Sequence, residues 1–185
     1  MIRKVVVFAA GRGTRMRELS KQKPKHLIEI FGKPFLYYLL SNLRQAGFQE
    51  IVMVTGYLSD QMERFVSQYQ DEFPAFTTVN QFELLREESY GTLMPLLAAQ
   101  KEVQNENFVV VMGDNLYSLA DLQAFRKQDD AYCYVSGFEV PNPEQYGTLV
   151  SSTDGYLQSI DERSPQPDNQ PHRANHPVRL RDSVS

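Results

Sequence analysis

The sequence predicts an α/β fold, a doubly wound and mainly parallel sheet with helices on both faces. Three observations predict it. Residues 4–10, 51–55 and 108–112 are short, near-continuous apolar runs, the pattern of strands covered on both faces. Stretches with helical spacing lie between them, such as Met62, Phe65, Val66 and Tyr69 on one face. Strands alternating with helices imply right-handed βαβ crossovers, which bring the C-terminal ends of the strands to one edge. Ligands of such sheets bind at that edge, and the chain leaves the first strand there through Gly11 and the fourth through Asp114.

In chain order, residues 4–10 form the first strand and residues 11–27 a loop rich in glycine and base. Residues 27–30 are a short extended piece turned by Gly32. Pro34 suits a first helical position, and residues 35–46 form a helix closed by Gly47. After the strand at 51–55, Ser59 caps a helix that runs to about Gln70. Residues 76–79 are the third strand. A helix spans 91–103, with Pro95 in its first turn. After the fourth strand at 108–112, residues 118–127 form a helix with Ser118 and Asp121 as a capping pair. Residues 131–138 are a fifth strand with Cys133 in its interior. Residues 147–151 and 156–160 form a hairpin across Asp154-Gly155.

The chain of 185 residues fits a domain with a sizeable core, and 42% hydrophobic residues is ordinary for a globular protein. No apolar run is long enough to span a bilayer, and the N-terminus lacks the length and cleavage site of a signal peptide. No membrane partner and a cytoplasmic location are therefore expected. The single cysteine, Cys133, excludes an intramolecular disulfide and suits a reducing compartment.

The net charge of −4 is unevenly placed. Residues 1–33 carry nine bases (Arg3, Lys4, Arg12, Arg15, Arg17, Lys21, Lys23, Lys25, Lys33) against Glu18 and Glu29. The rest of the chain carries ten bases and twenty-one acids. A basic mouth on an acidic body suits a small polyanion in a cleft. A nucleic-acid surface would need a broad basic face, so no nucleic-acid partner is expected.

The basic residues cluster around Gly11-Arg12-Gly13, where a strand runs into a turn whose backbone N–H groups can approach an anion. Three phosphate loops compete for this stretch. A dinucleotide fingerprint needs a third glycine, and Thr14, Arg15 and Met16 follow instead. A P-loop needs Gly-Lys-Ser/Thr, but Gly32-Lys33 is followed by Pro34. Met112-Gly113-Asp114-Asn115 is a second constellation. A carboxylate that follows an apolar strand and a glycine commonly holds a divalent cation beside phosphates.

The remaining match is Gly11-x-Gly13-Thr14-Arg15-Met16 after a strand, followed by Pro24-Lys25. It resembles the signature of the sugar-phosphate nucleotidyltransferases, the nucleotide-sugar pyrophosphorylases. Gly91-Thr92, Gly113-Asp114-Asn115, Tyr146-Gly147 and Glu162 extend the resemblance to about residue 163. It implies a Rossmann-like, GT-A-like fold, truncated on the C-terminal side. The implied reaction moves a nucleoside monophosphate from an NTP to a sugar 1-phosphate, releasing pyrophosphate, with Mg²⁺ as cofactor. Arg15 and Lys25 are the implied catalytic residues. Ala10, Gly11, Gly13, Thr14, Arg15 and Gly91 are the implied nucleotide contacts. Asn115, Gly147 and Glu162 would face the sugar, and Asp114 would hold the metal. The Gly-Asp-Asn-Leu-Tyr wording of residues 113–117 is similar to that of bacterial thymidylyl and uridylyl enzymes. It therefore favours dTTP or UTP as donor and glucose 1-phosphate as acceptor. Full-length members of the family can form homo-oligomers.

Two positions depart from the family pattern. A glutamine often stands five residues before the Gly91 position, where this chain has Arg86, and Gln81 lies too far back. A lysine after the glutamate is replaced by Arg163. Beyond it, residues 163–185 hold four prolines, four arginines and no aromatic residue. Such a segment buries too little surface to offset its ordering entropy. The expected organisation is a nucleotidyltransferase domain over 1–162 and a disordered or non-native tail over 163–185, the chain being a fragment of a longer reading frame. His172 and His176 in that tail are not expected to bind metal. Two other function classes are weighed: a nucleotide- or sugar-binding regulatory member of the same fold, and an oxidoreductase, which the missing third glycine opposes.

Overall fold

Three consecutive valines set the centre of the sheet. Strand β1 (Lys4–Phe8) is buried along its whole length, with Val5, Val6 and Val7 all at 0% exposure. The computed structural model describes residues 1–13, 22–73, 75–85, 91–130, 132–137, 140–141, 146–162 and 177–180. These fall into two compact units, Met1–Lys127 and Gln128–Ser185.

In the first unit β1 pairs in parallel with β4 (Glu50–Thr55) on one side and β6 (Phe108–Met112) on the other. Strand β5 (Ala75–Asn80) adds in parallel to β4, giving the order β5-β4-β1-β6. Alternate residues of a strand point to opposite faces, so β1 feeds two cores. Val5 and Val7 pack with Leu36, Leu39, Leu40 and Leu43 of α1 (Phe35–Ala46), Met62 and Phe65 of α2 (Ser59–Tyr69), and Leu122 of α5 (Leu119–Arg126). Val6 and Phe8 pack on the other face with Ala98 of α4 (Met94–Ala98) and with Val103 of a 3₁₀ turn, Gln100–Val103. Helices on both faces of a parallel sheet are the doubly wound arrangement that the apolar runs imply.

Helix α1 ends as expected, at Gly47 with φ +93°, a left-handed conformation that glycine adopts without a Cβ penalty. Arg126 of α5 secures that end by donating from Nη1 to Ala46 O at 2.6 Å and from Nε to Ile2 O at 3.0 Å. Ser118 accepts the Asp121 N–H at 3.1 Å, the expected cap of α5.

Elsewhere the structure departs from expectation. Leu58, at φ +53° and without a side-chain cap, precedes α2 in place of Ser59, which is the first helical residue. The helix expected over 91–103 is split into α4 and the 3₁₀ turn, with Pro95 at the start of α4 where its missing N–H does no harm. An unexpected short helix, α3 (Gln81–Leu85), follows β5 at once. Asn80 starts it by accepting the Phe82 N–H at 3.1 Å, while its amide donates to Glu83 at 2.9 Å.

The second unit holds its own sheet, in the order β7-β10-β9-β8. Strands β8 (Gly147–Ser151) and β9 (Tyr156–Glu162) form the expected antiparallel hairpin, turned through Gly155 at φ +84°. Strand β7 (Tyr134–Ser136) is not a fifth strand of the parallel sheet. It pairs antiparallel with β10 (Pro177–Leu180). Its short run, with Tyr134 and Val135 only half-buried, supplies no side chains for two covered faces. Cys133 is exposed and lies just before the strand rather than inside it. Strand β10 falls within the stretch expected to lack regular structure, and Pro177 stands at its first residue, where a missing N–H is tolerated. No helix among the described residues is long and apolar enough to cross a membrane.

The short strands β2 (Glu29–Ile30) and β3 (Lys33–Pro34) are joined by Phe31 and Gly32, at φ +49° and +78°. Two positive φ values in a two-residue loop are the geometry that Asn-Gly suits best. Phe31 is 97% exposed, so its ring offsets none of the backbone strain. Phe31→Asn is expected to raise stability by about 1 kcal/mol, read as a higher urea midpoint at unchanged slope. A lower midpoint would show that the ring is packed in solution.

Candidate active site

The site forms where β1, β4 and β6 end together. Gly113 N–H donates to Phe8 O at 2.9 Å, Ala9 N–H to Val54 O at 2.9 Å, and Tyr57 N–H to Ala10 O at 3.2 Å. These bonds hold the three chain exits side by side. Gly113 has no room for a side chain: a Cβ would lie 2.9 Å from Phe8 O, 3.1 Å from His26 Cδ2 and 3.3 Å from Ala9 Cβ. The loop after β6 is fixed further by Tyr117, whose hydroxyl accepts the Met112 N–H at 2.9 Å and whose carbonyl accepts from Asn42 Nδ2 at 3.0 Å. Asp114 therefore stands at a fixed point beyond the strand.

Facing it is a 3₁₀ turn, Lys25–Leu27, closed by Leu27 N–H to Pro24 O at 2.8 Å. Lys25 Nζ forms an ion pair with Asp114 Oδ2. Partial burial pulls the Asp114 carboxyl upward, but the hydrogen bond and charge of Lys25 outweigh it and hold the group below the usual carboxylate value. His26, between them in the wall, is 1% exposed, and its Nδ1 is buried without a hydrogen-bond partner among the described residues. Burial first, and then the Lys25 charge, lower its pKa to about 4, so it is neutral at pH 7.

A cleft of about 270 Å³ opens here. Ala10, Gly11 and Gly91 give it backbone walls, Lys25 and Asp114 its charges, and Gln81, Phe82 and Thr92 its far side. No Cβ at Gly11 or Gly91 would touch anything within 4 Å, so both leave backbone open to a ligand. Gly91, at φ +133°, also needs to be glycine.

Of the residues singled out in the sequence, Ala10, Gly11, Lys25, Gly91 and Asp114 thus share one cleft. Gly13 follows at φ +65°. Asn115 is exposed and donates its N–H to Met112 O at 3.2 Å. Gly147 and Glu162 belong to the second unit, opposite each other in the β8–β9 register. Thr14, Arg15, Arg86 and Arg163 lie outside the described residues, as does most of the 163–185 tail. Lys23, counted among the phosphate-loop cations, instead pairs with Glu29 at 3.0 Å.

Two residues escape the sequence reading. Gln81 stands ten residues before Gly91 along the chain, yet it lines the same cleft, from the first residue of α3. His26 follows Lys25 directly, and its adjacency was the one available signal. Among the described residues no three His, Cys, Asp or Glu side chains gather to hold a metal. Asp114 alone fits a Mg²⁺ whose remaining ligands are waters and substrate phosphates, the usual mode for that ion.

The buried His26 makes stability depend on pH with a definite sign. Its folded pKa, about 4, lies below the ordinary 6.5. Its contribution is fully present above pH 6.5 and is lost as pH falls toward 4, amounting to about 3 kcal/mol. His26→Leu is expected to flatten the pH dependence of unfolding free energy between pH 6.5 and 4.5. Equal slopes for variant and wild type in urea titrations would remove His26 from that role.

Comparison with known proteins identifies the family. Residues 4–176 match the family model described as nucleotidyl transferase. The UTP–glucose-1-phosphate uridylyltransferase AglF of Haloferax volcanii is 30% identical over 166 residues, covering 88% of this chain and 65% of that protein. A mannose-1-phosphate guanyltransferase of Pichia angusta is 28% identical over 155 residues, covering 82% of this chain and 42% of its own length. This chain therefore spans between about two fifths and just under two thirds of those relatives. The crystal structure of HddC from Yersinia pseudotuberculosis superposes with a TM-score of 0.72 at 27% identity, covering 97% of this chain and 72% of that one. A UDP-glucose pyrophosphorylase shares the fold, with a TM-score of 0.72 at 21% identity. The match over residues 4–176, on a parallel sheet whose strand ends carry Gly11 and Asp114, places this chain in the nucleotidyl transferase family.

Proposed function

We propose that the protein transfers a nucleoside monophosphate from an NTP to a sugar 1-phosphate and releases pyrophosphate. The observation that carries this reading is the pairing of Lys25 with Asp114 beside the open backbone of Gly11, in one cleft at the strand ends. An oxygen of the sugar phosphate attacks the α-phosphorus in line, and pyrophosphate leaves. No general base is needed, because the attacking phosphate is already anionic. Positioning and charge neutralisation then account for most of the catalysis.

In this reading Gly11 and its neighbours Ala10, Gly13 and Thr14 meet the triphosphate through backbone N–H groups. Lys25 neutralises charge near the α-phosphate, and Arg15 holds the leaving pyrophosphate. Asp114 holds Mg²⁺, which when bound supplies positive charge against the phosphate oxygens. Asn115, Gly147 and Glu162 serve the sugar. A domain over residues 1–162, a cytoplasmic location and homo-oligomers belong to the same proposal.

Gln81, Gly91 and Thr92 take the base. A glutamine amide offers one donor face and one acceptor. It matches bases that present an adjacent N–H and C=O, namely uracil, thymine and guanine. Relatives are named for uridylyl and guanylyl transfer, which fits that set. UTP or dTTP with glucose 1-phosphate is the first pairing to assay, and GTP with mannose 1-phosphate the second.

Lys25→Ala and Arg15→Ala are each expected to lower kcat by on the order of 10²–10³, and Asp114→Asn to abolish divalent-dependent pyrophosphate release while far-UV circular dichroism stays native. Near wild-type rates in all three would sink the site. Triphosphate binding without any pyrophosphate release by the wild-type chain would instead identify a non-catalytic, nucleotide-binding member. Gln81→Ala is expected to raise KM for the preferred triphosphate by about tenfold or more. A KM that stays unchanged across UTP, dTTP and GTP would take Gln81 out of base selection.

A further inference from the structure

We propose that Lys25 is the resident counter-ion of Asp114 and keeps its carboxylate closed to a divalent cation until a nucleoside triphosphate enters the cleft. The inference rests on the nucleotidyl-transfer reading and adds to it an order of events and a reason for that order.

Neither partner of the pair is loosely placed. Asp114 follows Gly113, which is pinned to Phe8 O, and its loop is held again by Tyr117. Lys25 sits in a 3₁₀ turn whose Leu27 N–H bonds to Pro24 O and whose Ile28 N–H bonds to Lys25 O at 3.3 Å. His26 of the same turn lies against Gly113, so the turn and the loop rest on each other. The ion pair therefore follows from two anchored backbone segments. Both side chains are partly sheltered, Lys25 at 22% and Asp114 at 38% exposure, which strengthens the pairing over a fully solvated one.

Charge decides the consequence. Asp114 is one carboxylate, the neighbouring His26 is neutral, and no cluster of three acids, histidines or cysteines gathers there among the described residues. With the ammonium in place, the local charge sums to zero. A divalent cation arriving alone meets as much repulsion from Lys25 as attraction from Asp114. A triphosphate changes both sides of that balance. Its oxygens offer Lys25 a stronger anionic partner, and the four-carbon stem of lysine lets the ammonium swing without moving the turn. The same oxygens complete a ligand set that Asp114 cannot provide by itself. Lys25 thus leaves Asp114 for the phosphates in the event that frees the carboxylate, and unproductive metal binding to the empty site is suppressed.

The test measures Mn²⁺ binding by electron paramagnetic resonance, without nucleotide and with UTP or GTP. Without nucleotide, the wild type is expected to bind Mn²⁺ weakly. Lys25→Met should bind it about tenfold more tightly or better, as expected for removing one unit charge at such a distance. Lys25→Arg should stay weak, and the gain should vanish in the Lys25→Met/Asp114→Asn double variant. Equal nucleotide-free affinities for wild type and Lys25→Met would overturn the proposal. So would a gain that survives loss of Asp114. As a second measurement on folded protein with Lys25 intact, acetic anhydride should label Lys25 faster in Asp114→Asn than in wild type. An unchanged labelling rate also counts against it. Failure of the underlying functional reading looks different: neither UTP nor GTP would raise Mn²⁺ retention by the wild type, whatever Lys25→Met does.

Discussion

Everything in the first unit follows from the need to cover both faces of β1. Val5 and Val7 belong to one core and Val6 and Phe8 to the other, so the strand has no side open to water. Each of its backbone edges is also taken, by β4 and by β6. Polar chemistry is thereby excluded from the strand itself and can begin only at the residues that follow it. The carbonyls of Phe8 and Ala10 are bonded by Gly113 and Tyr57, so the exits of three strands are held at one level. Gly11 and Asp114 are the first residues past that level, which is why positions a hundred residues apart come to share a cleft.

Gly113 converts this shared level into a defined geometry. Phe8 O, His26 and Ala9 all lie within 2.9–3.3 Å of where its Cβ would be. Any side chain there would push the 3₁₀ turn outward and carry Lys25 with it. The separation between Lys25 and Asp114 is thus set by packing of an imidazole against a bare Cα, at a position where neither charged residue touches the contact. A buried histidine suits that place only in its neutral form, and its surroundings enforce that form by burial and by the neighbouring ammonium.

How much of this was legible in the sequence depends on the range of the signal. Strands β1, β4 and β6 were legible because continuous apolar runs are a local property, and the end of α1 because Gly47 marks it. The Gly11 and Asp114 positions followed from those strands. Gln81 was not legible: its distance from Gly91 was counted along the chain, and Asn80 starts a helix that shortens the path. The sheet of the second unit was legible only as a hairpin. Strand β10 pairs with β7 across more than forty residues and with β9 across more than twenty, and nothing in four residues beginning with proline announces partners so far away. Ser59 does not cap α2 and Cys133 does not lie inside a strand because tertiary context overrides a local preference.

Charge was the property most easily overread. Residues 1–33 hold nine bases, which looks like a strongly positive mouth. Several of these are already committed elsewhere. Lys4 lies 3.2 Å from Glu106 and 3.6 Å from Glu50, Lys23 pairs with Glu29, and Lys33 sits over the rings of Tyr37 and Tyr69 at 4.6 and 5.0 Å. Lys25, the base best placed in the cleft, is neutralised by Asp114. Attraction for a polyanion at this edge therefore rests more on open backbone N–H groups than the count of bases implies. That distribution has a functional logic. A cleft with permanently unpaired cations would hold any phosphate that diffused in, including the pyrophosphate that the proposed reaction releases. A cleft whose central lysine carries its own counter-ion presents full positive charge only to a ligand that also gives Asp114 a new partner. On the proposed reading, selectivity for a metal-bearing triphosphate over simpler anions comes from an exchange of ion pairs, with no need for a larger or more elaborate pocket.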